Sequence, residues 1–137
     1  MNDAYKSYSA QGIRPQAVIF DLTKESEAMP FAEDFAEGLK KSELKVVDAA
    51  ARERDTITER FKVLAGKMLA PAFNCVVITD RDDGVNGALT AGMVVIGFKN
   101  RTMREKLGKA DMVLTSFEGL DEHVVYQVFA HARKIPL

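Results

Sequence analysis

The chain is expected to fold as a doubly wound α/β domain, with a mainly parallel sheet of five strands in the order 2-1-3-4-5 between two helical layers. Three observations predict this. Short unbroken apolar runs, such as Cys75 to Ile78, alternate with segments whose apolar residues recur at helical spacing. Two of those runs lead directly into an acid, Asp21 and Asp80, as strands do when they deliver side chains to the carboxyl edge of a sheet. The 137 residues are 47% hydrophobic, enough for one real core and too few for a second domain. Strands that alternate with helices make parallel pairs joined by right-handed crossovers.

Residues 1–16 form a polar arm, and 17–137 a single domain. Ala17 to Leu22 gives the first strand, with Pro15 just before it. A helix follows from Pro30, where the missing N–H costs nothing. Its stripe is Phe31, Phe35 and Leu39. Leu44 to Val47 is the second strand. A helix from about Asp55 to Leu69 carries Ile57, Phe61, Leu64 and Met68 on one face, and Pro71 closes it. Cys75 to Ile78 is the third strand. Asp82 or Asp83 is expected to cap the helix after it, and Gly92 to end that helix in a left-handed conformation. Met93 to Ile96 begins the fourth strand, with Gly97 to Asn100 as a loop and a short helix over 101–107. Asp111 to Thr115 is the fifth strand, and Glu118 to Ala132 the last helix.

A net charge of −1, from 19 basic and 20 acidic residues, gives no reason to propose nucleic acid or an anionic membrane as a partner. Cys75 is the single cysteine, so no internal disulfide and no cysteine-rich metal site can form; a small core residue is the reading here. No apolar run approaches the ~20 residues of a membrane span. The first residues lack an apolar signal core. A soluble cytoplasmic protein is expected.

The expected strand order puts Asp21 and Asp80 on neighbouring central strands, at one crevice. Two carboxylates there repel unless a positive charge lies between them, and Mg²⁺ is the usual oxygen-liganded answer. A carboxylate beside a bound phosphate can attack phosphorus. The same acids also suit plain turn residues at strand ends, and spacing leaves both readings open.

Beyond spacing, AVIFDLTKESEAMPFAEDFAEGL resembles the opening of the haloacid dehalogenase-like (HAD) hydrolases, in which an apolar strand runs into FDLDG. VVITDRDDGVNGALTAGMVVIGF looks like that family's fourth motif, an acid-Asp-Ser-x-x-G segment followed by a helix, and LGKADMVLTSFEGL is similar to its closing stretch. The resemblance covers Ala17 to Leu120. It implies a Rossmann-like HAD core and Mg²⁺-dependent phosphoester hydrolysis through an aspartyl phosphate. Asp21 would then be nucleophile and metal ligand, the carbonyl of Thr23 a second ligand and Asp80 a third. Lys67, after Gly66, would be the lysine that offsets phosphate charge.

The chain also departs from that pattern. Thr23 stands where phosphatases of the family carry their general acid and base, and threonine cannot shuttle a proton as a carboxyl group does at neutral pH. Ala49 or Ala50 replaces the phosphate-binding hydroxyl of the second motif. The segment around Lys67 is shortened. Thr79 and Arg81 replace the first acid and the serine of the fourth motif. No insertion forms a substrate cap. Arg81 is expected to neutralise Asp80 and so compete with a metal. The implied activity is therefore weak or lost, with a small phosphorylated substrate or anion as ligand and a homodimer covering the capless site. The alternative is a non-catalytic binding or regulatory domain, a pseudoenzyme of the same fold. A receiver-like reading ranks last, because it wants an acid pair after the first strand and a lysine after the fifth. His123 and His131 are expected on the helix surface, Arg52 to Asp55 as a solvated helix start, Lys99 in a structural or solvent role, and Asn86 on the acidic loop with Arg81.

Overall fold

The computed structural model describes residues 12–22, 31–49, 56–99 and 106–135. Their strands are β1 (Ala17–Asp21), β2 (Lys45–Asp48), β3 (Cys75–Thr79), β4 (Val94–Phe98) and β5 (Met112–Leu114). They form one parallel sheet in the order β2-β1-β3-β4-β5, as expected. Four α-helices are described: α1 (Ala32–Lys41), α2 (Ile57–Lys67), α3 (Asp82–Thr90) and α4 (Glu122–Ala132).

The three inner strands are buried at every position, which is why they read as continuous apolar runs rather than alternating ones. Alternate side chains then serve two cores. Val18, Phe20, Val76, Ile78 and Ile96 pack with Phe35 and Leu39 of α1 and with Val125, Val128 and Phe129 of α4. Ala17, Ile19, Cys75, Val77 and Val95 pack with Phe61 and Leu64 of α2 and Val85 and Ala88 of α3. Burial pushes the Cys75 thiol up to about 11, so it stays protonated and unreactive at neutral pH, as a core residue should.

Several boundaries differ from the sequence expectation. Helix α1 starts at Ala32 after Phe31, whose backbone is left-handed (φ 70°) and whose ring is 45% exposed, so Phe31 leaves the buried stripe. Strand β4 runs on through Gly97 and Phe98 in place of a loop, because Phe98 is buried in the α1/α4 core. Thr56 accepts from the Glu59 N–H at 3.2 Å and starts α2. Asp121 accepts from the His123 N–H at 3.0 Å and starts α4 at Glu122 rather than Glu118. Most of the short helix expected over 101–107 lies outside the described residues. Leu107 itself is fully buried with φ 54°, which is not helical. Gly92 does end α3 left-handed, with φ 81°.

Phe117, from the loop after β5, fills the α1/α4 core. It stacks on Phe98 with ring centres 4.6 Å apart and on Phe35 at 5.4 Å. At the amino edge of the sheet, Arg133 follows α4. It donates to the carbonyls of Phe73 and Gly92, each at 2.7 Å, with its guanidinium 3.9 Å from the centre of the Phe73 ring. That one side chain ties the last helix to the turns that lead into β3 and β4.

Candidate functional site

The parallel register sets Asp21 beside Thr79, the last residues of the two central strands. The Thr79 hydroxyl donates to Asp21 Oδ2 at 2.8 Å, and Arg81 Nη2 donates to Asp21 Oδ1 at 2.7 Å. Asp21 is 5% exposed, Asp80 2% and Thr79 fully buried. Asp21 and Asp80 therefore meet at one edge, as the strand order implied.

Arg81, expected to neutralise Asp80, forms its short ion pair with Asp21. Arg81 follows Thr79 by two residues in extended backbone (φ −129°, ψ 142°), and alternate residues of an extended chain share a side. Its guanidinium thus falls on the side of Thr79 and β1. Arg81 Nε makes no hydrogen bond, with Asp83 Oδ1 3.7 Å away.

Neither Asp82 nor Asp83 is the N-cap of α3. They occupy its first turn, where the helix dipole favours acids, and Arg81 precedes them. Asp82 instead accepts from the Leu107 N–H at 2.8 Å and the Lys106 N–H at 3.4 Å, tying the start of α3 to the segment before β5. Gly84 permits this approach. A Cβ there would lie 2.2 Å from Thr79 Oγ1 and 2.6 Å from Asp21 Oδ2, so only glycine lets the first turn of α3 close over the pair.

Burial raises the Asp21 pKa above the ordinary aspartate value. The Thr79 hydroxyl and Arg81 pull it back down, and the Asp80 charge adds a push upward. The stability an upward-shifted acid gives is complete below ~3.9 and fades as pH rises through its folded value. Asp21→Asn removes that loss. We expect the stability of Asp21→Asn, relative to the native chain, to rise from about pH 4 to about pH 7 in urea titrations. A relative stability that falls over that range would show that the Arg81 pair outweighs burial.

The donors as they stand do not fit Mg²⁺. Each Asp21 oxygen already accepts a hydrogen bond, and one of the donors is a cation. A dication sharing that carboxylate with a guanidinium ~4–5 Å away would meet repulsion on the order of 7 kcal/mol at an effective dielectric of 20. Mg²⁺ also demands near-ideal octahedral oxygen geometry.

The remaining expected positions are dispersed. Thr23 lies outside the described residues, as do Ala50 and Arg52 to Asp55. Lys67 is exposed at the last position of α2, next to Met68, whose carbonyl accepts from Lys45 at the start of β2. That is the amino edge of the sheet, whereas Asp21 ends β1 at the carboxyl edge, so the fold does not bring Lys67 to Asp21. Ala49 is half-buried, and its N–H donates to the Phe20 carbonyl at 2.8 Å. Lys99 is half-buried after β4, and Asn86, His123 and His131 are exposed. A cavity of about 360 Å³ lies beside β2 and α1, lined by residues such as Phe20, Leu22, Ala36 and Val46; Asp21, Asp80 and Arg81 are not part of it. Sequence reasoning missed the roles of Thr79 and Gly84. The register would have exposed Thr79, since it pairs the ends of two adjacent strands.

No protein-family model matches the chain, and no curated protein does. Solved structures do. β-Phosphoglucomutase from Clostridium difficile is similar with a TM-score of 0.64 over 77% of this chain, at 17% identity. A predicted phosphoglycolate phosphatase from Haemophilus somnus 129pt is similar over 91% of this chain with a TM-score of 0.47, also at 17% identity. This chain covers 58% and 54% of the length of those two chains. At that identity the likeness to the mutase speaks for the fold alone.

Proposed function

Starting from a haloacid dehalogenase-like fold, we propose that this chain is a pseudoenzyme: a domain in which Mg²⁺-dependent phosphoester hydrolysis has been lost and a binding or regulatory role remains. The observation that carries this reading is the state of Asp21, whose two carboxylate oxygens are held by Thr79 and Arg81. A carboxylate nucleophile must offer an oxygen to phosphorus, and here attack would have to break a partly buried ion pair first. The rest of the machinery is thin. Thr23 cannot take a proton as a carboxyl group can, and a missing proton-transfer group costs ~10²–10⁴ in rate. Loss of a preorganised charge stabiliser, with Lys67 at the far edge of the sheet, costs a further ~10²–10³. Together these remove nearly all useful turnover.

The local charge also narrows what is bound. Arg81 already meets two acids, Asp21 at 2.7 Å and Asp83 at 3.7 Å, so its charge is largely taken before a free phosphate arrives. A protein partner fits this reading better than a small phosphorylated ligand.

The test is hydrolysis of an activated aryl phosphate by the purified chain with Mg²⁺, beside Asp21→Asn. We expect both to give the same background rate. Steady hydrolysis by the native chain that disappears in Asp21→Asn would overturn the proposal in favour of a capless Mg²⁺ hydrolase.

A further inference from the structure

We propose that residues 106–110 form a strap that opens as a unit while the sheet stays folded, with Leu107 as its plug and Asp82 as its latch. The inference goes beyond the loss of hydrolysis and does not depend on it.

Parallel neighbours need a long connection, most often a helix, and residues 106–111 of the connection from β4 to β5 are not helical. They run from Asp82, in the first turn of α3, to Val95 near the start of β4. Along this stretch Leu107 is fully buried, Lys106, Gly108 and Lys109 are exposed, and Ala110 is half-buried. Gly97 of β4 is the seat for the leucine. A Cβ there would lie 3.1 Å from both Cβ and Cδ1 of Leu107, and 3.4 Å from Ala110 Cβ.

Leu107 reaches that seat against resistance. Its backbone is left-handed, with φ 54°, a conformation in which a Cβ crowds the next carbonyl. This strain opposes the gain from burying the side chain, so closure leans on hydrogen bonds. Asp82 Oδ1 accepts the Leu107 N–H at 2.8 Å, and Oδ2 accepts the Lys106 N–H at 3.4 Å. The Ala110 N–H donates to the Leu107 carbonyl at 3.1 Å and closes the turn.

The far end is held differently. The Asp111 N–H donates to the Val95 carbonyl at 2.8 Å, and its carboxylate accepts the Val95 N–H at 2.8 Å. This double clamp on β4 makes Asp111 the hinge. One buried apolar plug and a latch to one side chain mark a segment that opens below the energy of global unfolding. Opening lifts Leu107 off Gly97 and bares an apolar notch beside the start of α3, a surface that the closed form hides.

Native-state hydrogen exchange of the whole chain, followed by NMR in low urea, tests this. The reporters are the amides of Ala110, which does not bond Asp82, of Asp111 at the hinge and of Val77 in β3. We expect Ala110 to be at least about tenfold less protected than Asp111 and Val77, and nearly insensitive to urea. Phe117→Leu, in the opposite core, should speed exchange at Val77 and leave Ala110 unchanged, because a local opening does not feel a remote loss. Asp82→Ala and Leu107→Ala should each speed Ala110 by at least about tenfold. Asp82→Asn, which keeps one acceptor oxygen, gives the same direction in smaller measure should Asp82→Ala not fold. If Ala110 follows Val77 both in urea and in Phe117→Leu, the strap opens only with the whole fold and the inference is wrong. An Ala110 amide unmoved by the Asp82 substitutions would also overturn it. Neither result bears on aryl phosphate hydrolysis, which tests the proposed function separately.

Discussion

Gly84→Ala is expected to destabilise the protein by about 3 kcal/mol, although alanine is the better helix former. The propensity gain is at most ~1 kcal/mol and is smaller in a first turn. Against it, the new methyl would sit 2.2 Å from Thr79 Oγ1 and 2.6 Å from Asp21 Oδ2, contacts that real Cβ atoms essentially never make. Overpacking costs ~1–3 kcal/mol. Moving Thr79 or α3 to relieve it breaks the bond to Asp21, and a buried acceptor left without its donor costs another ~1–3 kcal/mol. The clash wins. Urea unfolding at neutral pH measures it, and a stability within 0.5 kcal/mol of native would show that α3 can shift freely. The same substitution in a Thr79→Ala background should cost less, since one of the two obstructing atoms is gone; additive effects would separate Gly84 from the Asp21 cluster.

Phe117→Ala should be as severe, at ~3–5 kcal/mol and with a fall in Tm on the order of 10–20 °C. Phe117 lies in a loop, where substitutions are usually cheap. It is 1% exposed, and its ring is stacked between Phe98 of β4 and Phe35 of α1. Alanine would remove the ring from both stacks and leave a cavity between the sheet and α1. Phe117→Leu should recover more than half of the loss, because most of the buried volume returns. Thermal unfolding of the two variants decides this: equal losses would place the energy in ring stacking, and two negligible losses would place Phe117 outside the core.

The sheet was legible because its central strands are buried on both faces, so Ala17 to Phe20 and Cys75 to Ile78 carry no polar interruption that could be confused with a helix. Strand order followed from alternation and handedness, and it brought Asp21 and Asp80 to one edge. What was not legible depends on contacts between residues remote in sequence. Arg81 is adjacent to Asp80 in the chain, but strand geometry aims it at Asp21, 60 residues away. Asp82 looked like a helix cap and serves the backbone of Leu107 instead. The need for glycine at position 84 appears only once the first turn of α3 closes over Thr79 and Asp21. Phe117 sat in an expected loop-to-helix boundary, where a hydrophobic residue gives no periodic signal. Lys67 follows a glycine as the resemblance requires, but the direction of α2 carries it to the opposite edge.

The position of α4 and its Arg133 clip also sets an order of events during synthesis. Helix α4 supplies Val125, Val128 and Phe129 to the core that Val18 and Phe20 of β1 also line, so β1 is covered on that face by a helix made after all five described strands. Arg133 then bonds Phe73 and Gly92, partners 60 and 41 residues earlier. Contacts of such long range are slow to form, because the intervening chain must be ordered before they give anything back. Until residue 122 onward has left the ribosome, one apolar face of the nascent sheet lacks α4, and among the described helices α1 alone shields it. That interval is when the chain is most exposed to chaperones and to association with its own copies.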